Sequence, residues 1–230
     1  MSGESKSFSG IARDIQPSAA KIQSPAMGLA NWIEVGVVFV LIMVAVWTPQ
    51  GRINTVVSVV AALCILLLTA HRGYSARELG LSHPVAGAAL TLAAGALIAV
   101  AIALVGPFTR TLGPAHPVAW NQVWHYAIWA LAQQFILQSF FYVRLEPILG
   151  GRRAVLATAL LFAIAHIPSP VLALIGFFGA LFFCEVFRRY RNIFPLGLVH
   201  AAIGLAIAAS LPDSLLHHMR VGIGYLQYHF

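Results

Sequence analysis

Seven apolar runs, at roughly 29–48, 55–70, 84–106, 120–143, 154–167, 170–187 and 194–211, constrain this chain more than any other feature. An α-helix rises about 1.5 Å per residue, so about 20 apolar residues cross the ~30 Å hydrocarbon core of a bilayer. The second and fifth runs are short for a full crossing, and the others approach or exceed that length. Composition agrees. With 60% hydrophobic and 9% charged residues and a mean hydropathy of +0.84, the chain has too little polar surface to coat a water-soluble globule. The expected fold is an all-α, polytopic membrane helical bundle of about seven transmembrane helices. Breakers at Pro49-Gln50-Gly51, Pro107, Gly113-Pro114, Gly150-Gly151, Pro168-Ser169-Pro170 and Pro212 mark its divisions.

The formal net charge of +7 would suggest nucleic acid in a soluble protein. Here the cations sit at the ends of apolar runs, as topology signals do, so nucleic-acid binding is not expected. Lys6, Arg13, Lys21, Arg72, Arg77, Arg144, Arg152, Arg153, Arg188, Arg189 and Arg191 fall on one side of the predicted membrane; Arg52, Arg110 and Arg220 fall on the other. The rule that basic loops face the cytoplasm then places the amino terminus inside. Residues 1–28 read as a mobile cytoplasmic tail, 29–211 as the membrane bundle, and 212–230 as an outer interfacial tail carrying Tyr225, Tyr228 and Phe230. Cys64 and Cys184 lie inside apolar runs and read as small packed side chains.

Polar side chains at membrane depth are costly unless they pair, face a cavity or perform chemistry, so function is sought there. Gln133, Gln134 and Gln138 fall on the fourth run; Gln134 and Gln138, four apart, share a helix face. His166 ends the fifth run and His200 lies within the seventh. Counting helical rise from the basic ends brings all five into one intramembrane layer. Amides and imidazoles meeting there could hold a water, a metal or a substrate carbonyl. They could equally serve as interhelical hydrogen bonds, at about 1 kcal/mol each. Glu34 is expected near the inner interface, Glu185 beside Arg188 and Arg189, His125 as a packed or interfacial histidine with an outer entrance as the alternative, and His217-His218 as a solvated pair. Arg188-Arg189-Tyr190-Arg191 reads as a topology anchor that also attracts anionic membrane lipids.

Three ordered stretches, QQFILQSFF at 133–141, FAIAH at 162–166 and LVHAAIG at 198–204, resemble the motifs of the CAAX-protease and bacteriocin-processing family of intramembrane endopeptidases. The likeness covers about 120–211, and ARELGLSHP at 76–84 is similar to the segment leading into that core. In the family, two adjacent glutamates are followed after three residues by arginine. A second motif ends in histidine, and a third has histidine four residues before asparagine or a similar polar group. The resemblance therefore implies a site at Gln133, Gln134, Gln138, His166 and His200, with Gly204 at the last polar position. It also implies a multi-pass protein of a bacterial inner membrane whose partners are membrane lipids and a membrane-associated or lipid-modified protein or peptide.

The departures bear on chemistry. The family's glutamate is thought to be the general base on the attacking water, and a glutamine amide cannot take that proton. Gln138 in place of arginine fits the same change, since removing the carboxylates removes the partner of a buried guanidinium. Two readings follow: a hydrolase in which His166 activates water while His200 or an amide stabilises an oxyanion, or a pseudoenzyme holding a lipidated peptide, isoprenoid or membrane helix uncut. No cofactor is certain, and a divalent metal is possible. A divalent metal would have only His166 and His200 as ligands, a sparse set.

Overall fold

The computed structural model describes residues 25–109 and 120–227, all of whose regular elements are helical. They are α1 (Pro25–Trp47), α2 (Arg52–His71), α3 (Ala88–Thr109), α4 (Trp120–Gln134), a π-helical segment (Phe135–Tyr142), α5 (Val143–Leu149), α6 (Gly151–Ile164), α7 (Pro170–Tyr190) and α8 (Phe194–Ser210). After these come the short α9 (Asp213–Leu216), a 3₁₀ turn (His217–Met219) and α10 (Ile223–Leu226). Each apolar run has become helical, and the breakers at Pro49-Gln50-Gly51, Gly150-Gly151, Pro168-Ser169-Pro170 and Pro212 lie where helices end, whereas Pro107 lies inside α3 and Arg110 and Gly113-Pro114 lie outside the described residues. Gly150 takes φ 77° between α5 and α6, where a side chain would be strained. Ser169 caps α7 by accepting the Leu172 N–H, and Pro170 begins the helix without needing a hydrogen-bond partner of its own. Residues 1–24, Tyr228 and Phe230 lie outside the described residues.

α1, α2, α3 and α7 are each long and apolar enough to cross a membrane; α8, at 17 residues, is shorter. Their outward faces carry Leu29, Val40, Leu67, Leu97 and Phe108 exposed, the arrangement expected where hydrocarbon rather than water is the neighbour. The chain is an integral membrane protein with an all-α bundle fold. α8 is its central strut, packed along α3 on one side and α4 on the other, while α6 and α7 form a packed hairpin.

Close approach of α3 to α8 depends on small residues. A Cβ on Gly95 would lie 2.5 Å from Val199 Cγ1 and 2.9 Å from Val199 Cβ, and one on Gly106 would lie 3.3 Å from the Ser210 backbone. Dispersion between closely apposed helices replaces the hydrophobic effect in lipid, so these contacts matter. Gly95→Ala is expected to destabilise the bundle by about 1–3 kcal/mol. Thermal unfolding in detergent checks this, and Val199→Ala in the same chain should recover most of the loss. Equal melting of parent and Gly95→Ala would refute tight α3–α8 packing.

The clusters of arginine gather at one end of the bundle, bound to the acidic side chains. Glu34 of α1 pairs with Arg72 at 2.6 Å and with Arg144 at 2.7 Å; Glu185 pairs with Arg188 and Arg189; Glu146 pairs with Arg191 and accepts the Tyr142 hydroxyl at 2.9 Å. Arg144 departs from its sequence reading. Instead of marking a loop, it is fully buried within a helix that continues to Leu149. The reason is tertiary: Glu34 supplies its counterion, the Phe140 carbonyl accepts from Nη1 at 3.2 Å, and its Cζ lies 3.7 Å from the Phe140 ring centre. The segment 76–84 packs beneath the same region. Ser139 donates to the Leu79 carbonyl at 2.7 Å, and Asn192 Nδ2 donates to Pro84 and Ala86.

At the opposite end the segment after α8 folds back over the bundle. Leu216 is buried with Leu172 and Ile207, and Gly222 donates its N–H to Ile167, the residue after His166. His217 and His218 are correspondingly not a solvated pair: the His217 ring packs 4.2 Å from that of Tyr225, and His218 Nδ1 lies 3.4 Å from Asp213.

Candidate functional site

The fourth apolar run is not one regular α-helix. From Phe135 to Tyr142 its backbone widens to π-helical pairing, with the Val143 N–H bonded to the Gln138 carbonyl five residues back. Such segments commonly occur at functional sites because the extra residue in the turn re-aims the side chains. Here the widened turn begins immediately after Gln134 and contains Gln138.

Gln138, Gln134 and His200 form a directed chain. Gln138 Nε2 donates to Gln134 Oε1 at 3.2 Å, and Gln134 Nε2 lies 3.1 Å from His200 Nδ1. With Gln134 Nε2 as the donor, His200 Nδ1 accepts and the imidazole proton is assigned to Nε2. Gln134 and Gln138 are fully buried; His200 is half-buried between Phe162 and Phe183, whose ring centres are 6.0 and 5.2 Å from its own. Gln138 Oε1 is buried with no hydrogen-bond partner among the described residues.

His166 has the complementary tautomer. Its Nδ1 lies 2.7 Å from the Phe162 carbonyl, which can only accept, so Nδ1 carries the proton and Nε2 presents a lone pair. The Phe162 ring, 4.5 Å from His166, touches both histidines and ties α6 to α8. A Cβ on Gly176 would stand 3.6 Å from His166 Nδ1 and 3.4 Å from Phe162, so the bare backbone of α7 forms a close wall there. The site thus couples one imidazole able to accept a proton with another able to donate a hydrogen bond.

Of the five sequence candidates, Gln134, Gln138 and His200 are joined by hydrogen bonds, and His166 reaches His200 through Phe162. Gln133 stands apart, half-buried and without a hydrogen bond among the described residues. The described carboxylates are engaged elsewhere: Glu34, Glu146 and Glu185 with arginines, Glu78 with Ser75, and Asp213 near His218. Among the described residues, no group of three His, Cys, Asp or Glu side chains is placed to hold a metal ion.

Sequence reasoning missed the space above this layer. A cavity of about 480 Å³ lies between the first half of α4, the second half of α8 and the segment 213–219. Its walls include Trp129, Leu205 and Met219, with His125 and His218 also facing it. Tyr126 and Gly204 line it together, the Tyr126 ring lying against the bare backbone of Gly204. Tyr126 precedes Gln134 by eight residues, hence shares its helix face; that period was the available signal.

Comparison with known proteins bears on the same region. Residues 114–206 match the model of a family described as Rce1-like, type II CAAX prenyl endopeptidase Rce1-like. The matched stretch holds α4, the π segment, α6, α7 and most of α8, with the five candidate residues. It does not extend to α1, whose Glu34 holds Arg144, or to residues 76–84. No curated protein matches the chain significantly.

Proposed function

From the premise that this chain carries, in residues 114–206, the core of the CAAX-protease and bacteriocin-processing family of intramembrane endopeptidases, we propose that it hydrolyses a peptide bond of a membrane-associated, lipid-modified polypeptide by a mechanism resting on histidine instead of glutamate. The observation that carries this reading is what faces the two Nδ1 atoms, the Phe162 carbonyl at His166 and the Gln134 amide nitrogen at His200, from which opposite tautomers are inferred. His166, with Nε2 unprotonated, takes a proton from water as the water oxygen attacks the scissile carbonyl carbon. His200, with Nε2–H, donates a hydrogen bond to the carbonyl oxygen as it gains negative charge. The proton on His166 then passes to the leaving nitrogen as the C–N bond breaks, yielding a carboxylic acid and an amine.

Gln134 and Gln138 serve as orienters in this scheme. Their chain fixes the His200 ring and its tautomer, in the opposite sense to a carboxylate accepting from Nδ1–H, and without adding a charge in lipid. The apolar surroundings suit a substrate tethered to the bilayer by a lipid. An amino terminus on the cytoplasmic side and a bacterial inner membrane belong to the same reading, supported by the gathering of arginines at one end of the bundle.

The test is mass-spectrometric detection of products after the reconstituted protein is incubated with pools of membrane peptides and prenylated peptides. Cleavage is expected, and His166→Ala is expected to reduce it by about 10²–10⁴-fold, the usual contribution of a positioned general base. Undiminished cleavage by His166→Ala would remove the proposed mechanism. Stoichiometric peptide binding without any product would favour the pseudoenzyme reading.

A further inference from the structure

Gly204 follows His200 by one helical turn and so lies on the same face of α8, about 5–6 Å nearer the cavity. It is the position at which the motif's second polar group is missing. The space is not empty. A Cβ built on Gly204 would collide with the Tyr126 hydroxyl and stand 2.6 Å from its Cε1 and Cζ. The phenol of α4 thus occupies the volume that a polar side chain from α8 would fill. Gly204 is required for this: any larger residue would expel the ring.

Tyr126 lines the 480 Å³ cavity, and its hydroxyl has no hydrogen-bond partner among the described residues. A buried or half-buried phenol normally finds such a partner, so an unpaired one facing a cavity is available to a ligand. His200, whose Nδ1 faces the Gln134 amide, precedes Gly204 by one helical turn on α8. A single acceptor bound between them would meet two donors, from α4 and from α8.

We propose that Tyr126 is a substrate-contacting residue whose O–H donates to the scissile carbonyl oxygen together with His200, replacing from α4 the polar group absent at Gly204. This rests on the endopeptidase reading above. The phenol transfers no proton. It supplies a fixed dipole at the oxygen where charge develops, and such a donor acts on the rate of the chemical step more than on binding of the ground state. The carbonyl of an extended peptide would reach it through the cavity, with the apolar walls of Trp129, Leu205 and Met219 receiving the adjoining side chain.

The test compares the parent, Tyr126→Phe, Tyr126→Ala and Tyr126→Ala/Gly204→Asn, reconstituted and given the peptide pools. It is run beside equilibrium binding of prenylated peptides carrying a statine unit, whose hydroxyl-bearing tetrahedral carbon mimics the addition intermediate. Tyr126→Phe is expected to lower kcat about 10²-fold with KM little changed and to weaken statine binding at least tenfold. The Tyr126→Ala/Gly204→Asn variant should regain activity that Tyr126→Ala lacks, because it returns a polar group to the same volume. Weakened statine binding by Tyr126→Phe in a protein that never cleaves would uphold Tyr126 while sinking the endopeptidase reading. Unchanged kcat and statine binding in Tyr126→Phe overturn the proposal, and a parent that neither cleaves nor binds overturns both.

Discussion

A Gln133→Glu/Gln134→Glu/Gln138→Arg variant is expected to hydrolyse the same substrate about 10²–10⁴-fold faster than the glutamine form, the range in which a positioned general base contributes. Glutamine and glutamate are nearly isosteric, so the first two changes keep the shape of the site. The third returns a cation where Gln138 Nε2 already donates to the side chain of residue 134. A carboxylate at 134 accepts only, so the adjacent His200 Nδ1 would have to carry a proton, and the imidazolium paired with that carboxylate keeps Nε2–H as the donor to the carbonyl oxygen. The second carboxylate, at half-buried position 133, would have no existing hydrogen bond to break and could meet the attacking water. All three changes are needed together, because an unpaired carboxylate or guanidinium at this depth is strongly disfavoured. Turnover of a peptide cleaved by both forms decides the matter. A correctly folded triple variant no faster than the parent would show that the histidines already supply the full proton transfer.

Glu34→Leu is expected to lower stability by about 3–5 kcal/mol, the usual cost of stranding one partner of a buried ion pair. Arg144 is fully buried, and its Nε–Glu34 contact at 2.7 Å neutralises it. Glu34 is itself 14% exposed and shared with Arg72, so removing it leaves two guanidiniums facing one another at the arginine-rich end. The loss should reach the candidate site. Arg144 donates to the Phe140 carbonyl inside the π segment, and Asn31 of α1 donates to the Arg144 carbonyl. Thermal unfolding in detergent measures the effect, and Glu34→Leu/Arg144→Met should restore stability because an apolar pair of similar volume needs no counterion. Melting unchanged by Glu34→Leu alone would mean that the Phe140 ring and the carbonyls already solvate the charge sufficiently. The matched core at 114–206 depends, on this account, on a helix outside it.

The helices were legible because their cause is local. A run such as Pro170–Tyr190 must satisfy every backbone group within itself if lipid surrounds it, and its apolar side chains say that lipid does. The candidate residues were legible for a related reason: Gln134, Gln138, His166 and His200 stand out as polar groups among apolar neighbours, at spacings that match three ordered motifs. Arg144 shows where this reasoning stopped. A sequence cannot distinguish an arginine at a helix end in water from one buried against a glutamate contributed from 110 residues away.

Length, apolar periodicity and the position of charge therefore determined the all-α membrane fold and its helix boundaries to within a few residues. Tertiary structure alone decided the direction of the Gln138–Gln134–His200 chain, the tautomers it imposes and the filling of the Gly204 gap by the Tyr126 ring. The physical reason is the range of the forces involved. Transfer of a segment from water to lipid sums over that segment's own residues, whereas hydrogen-bond polarity and steric filling depend on atoms a few ångströms apart that belong to different helices.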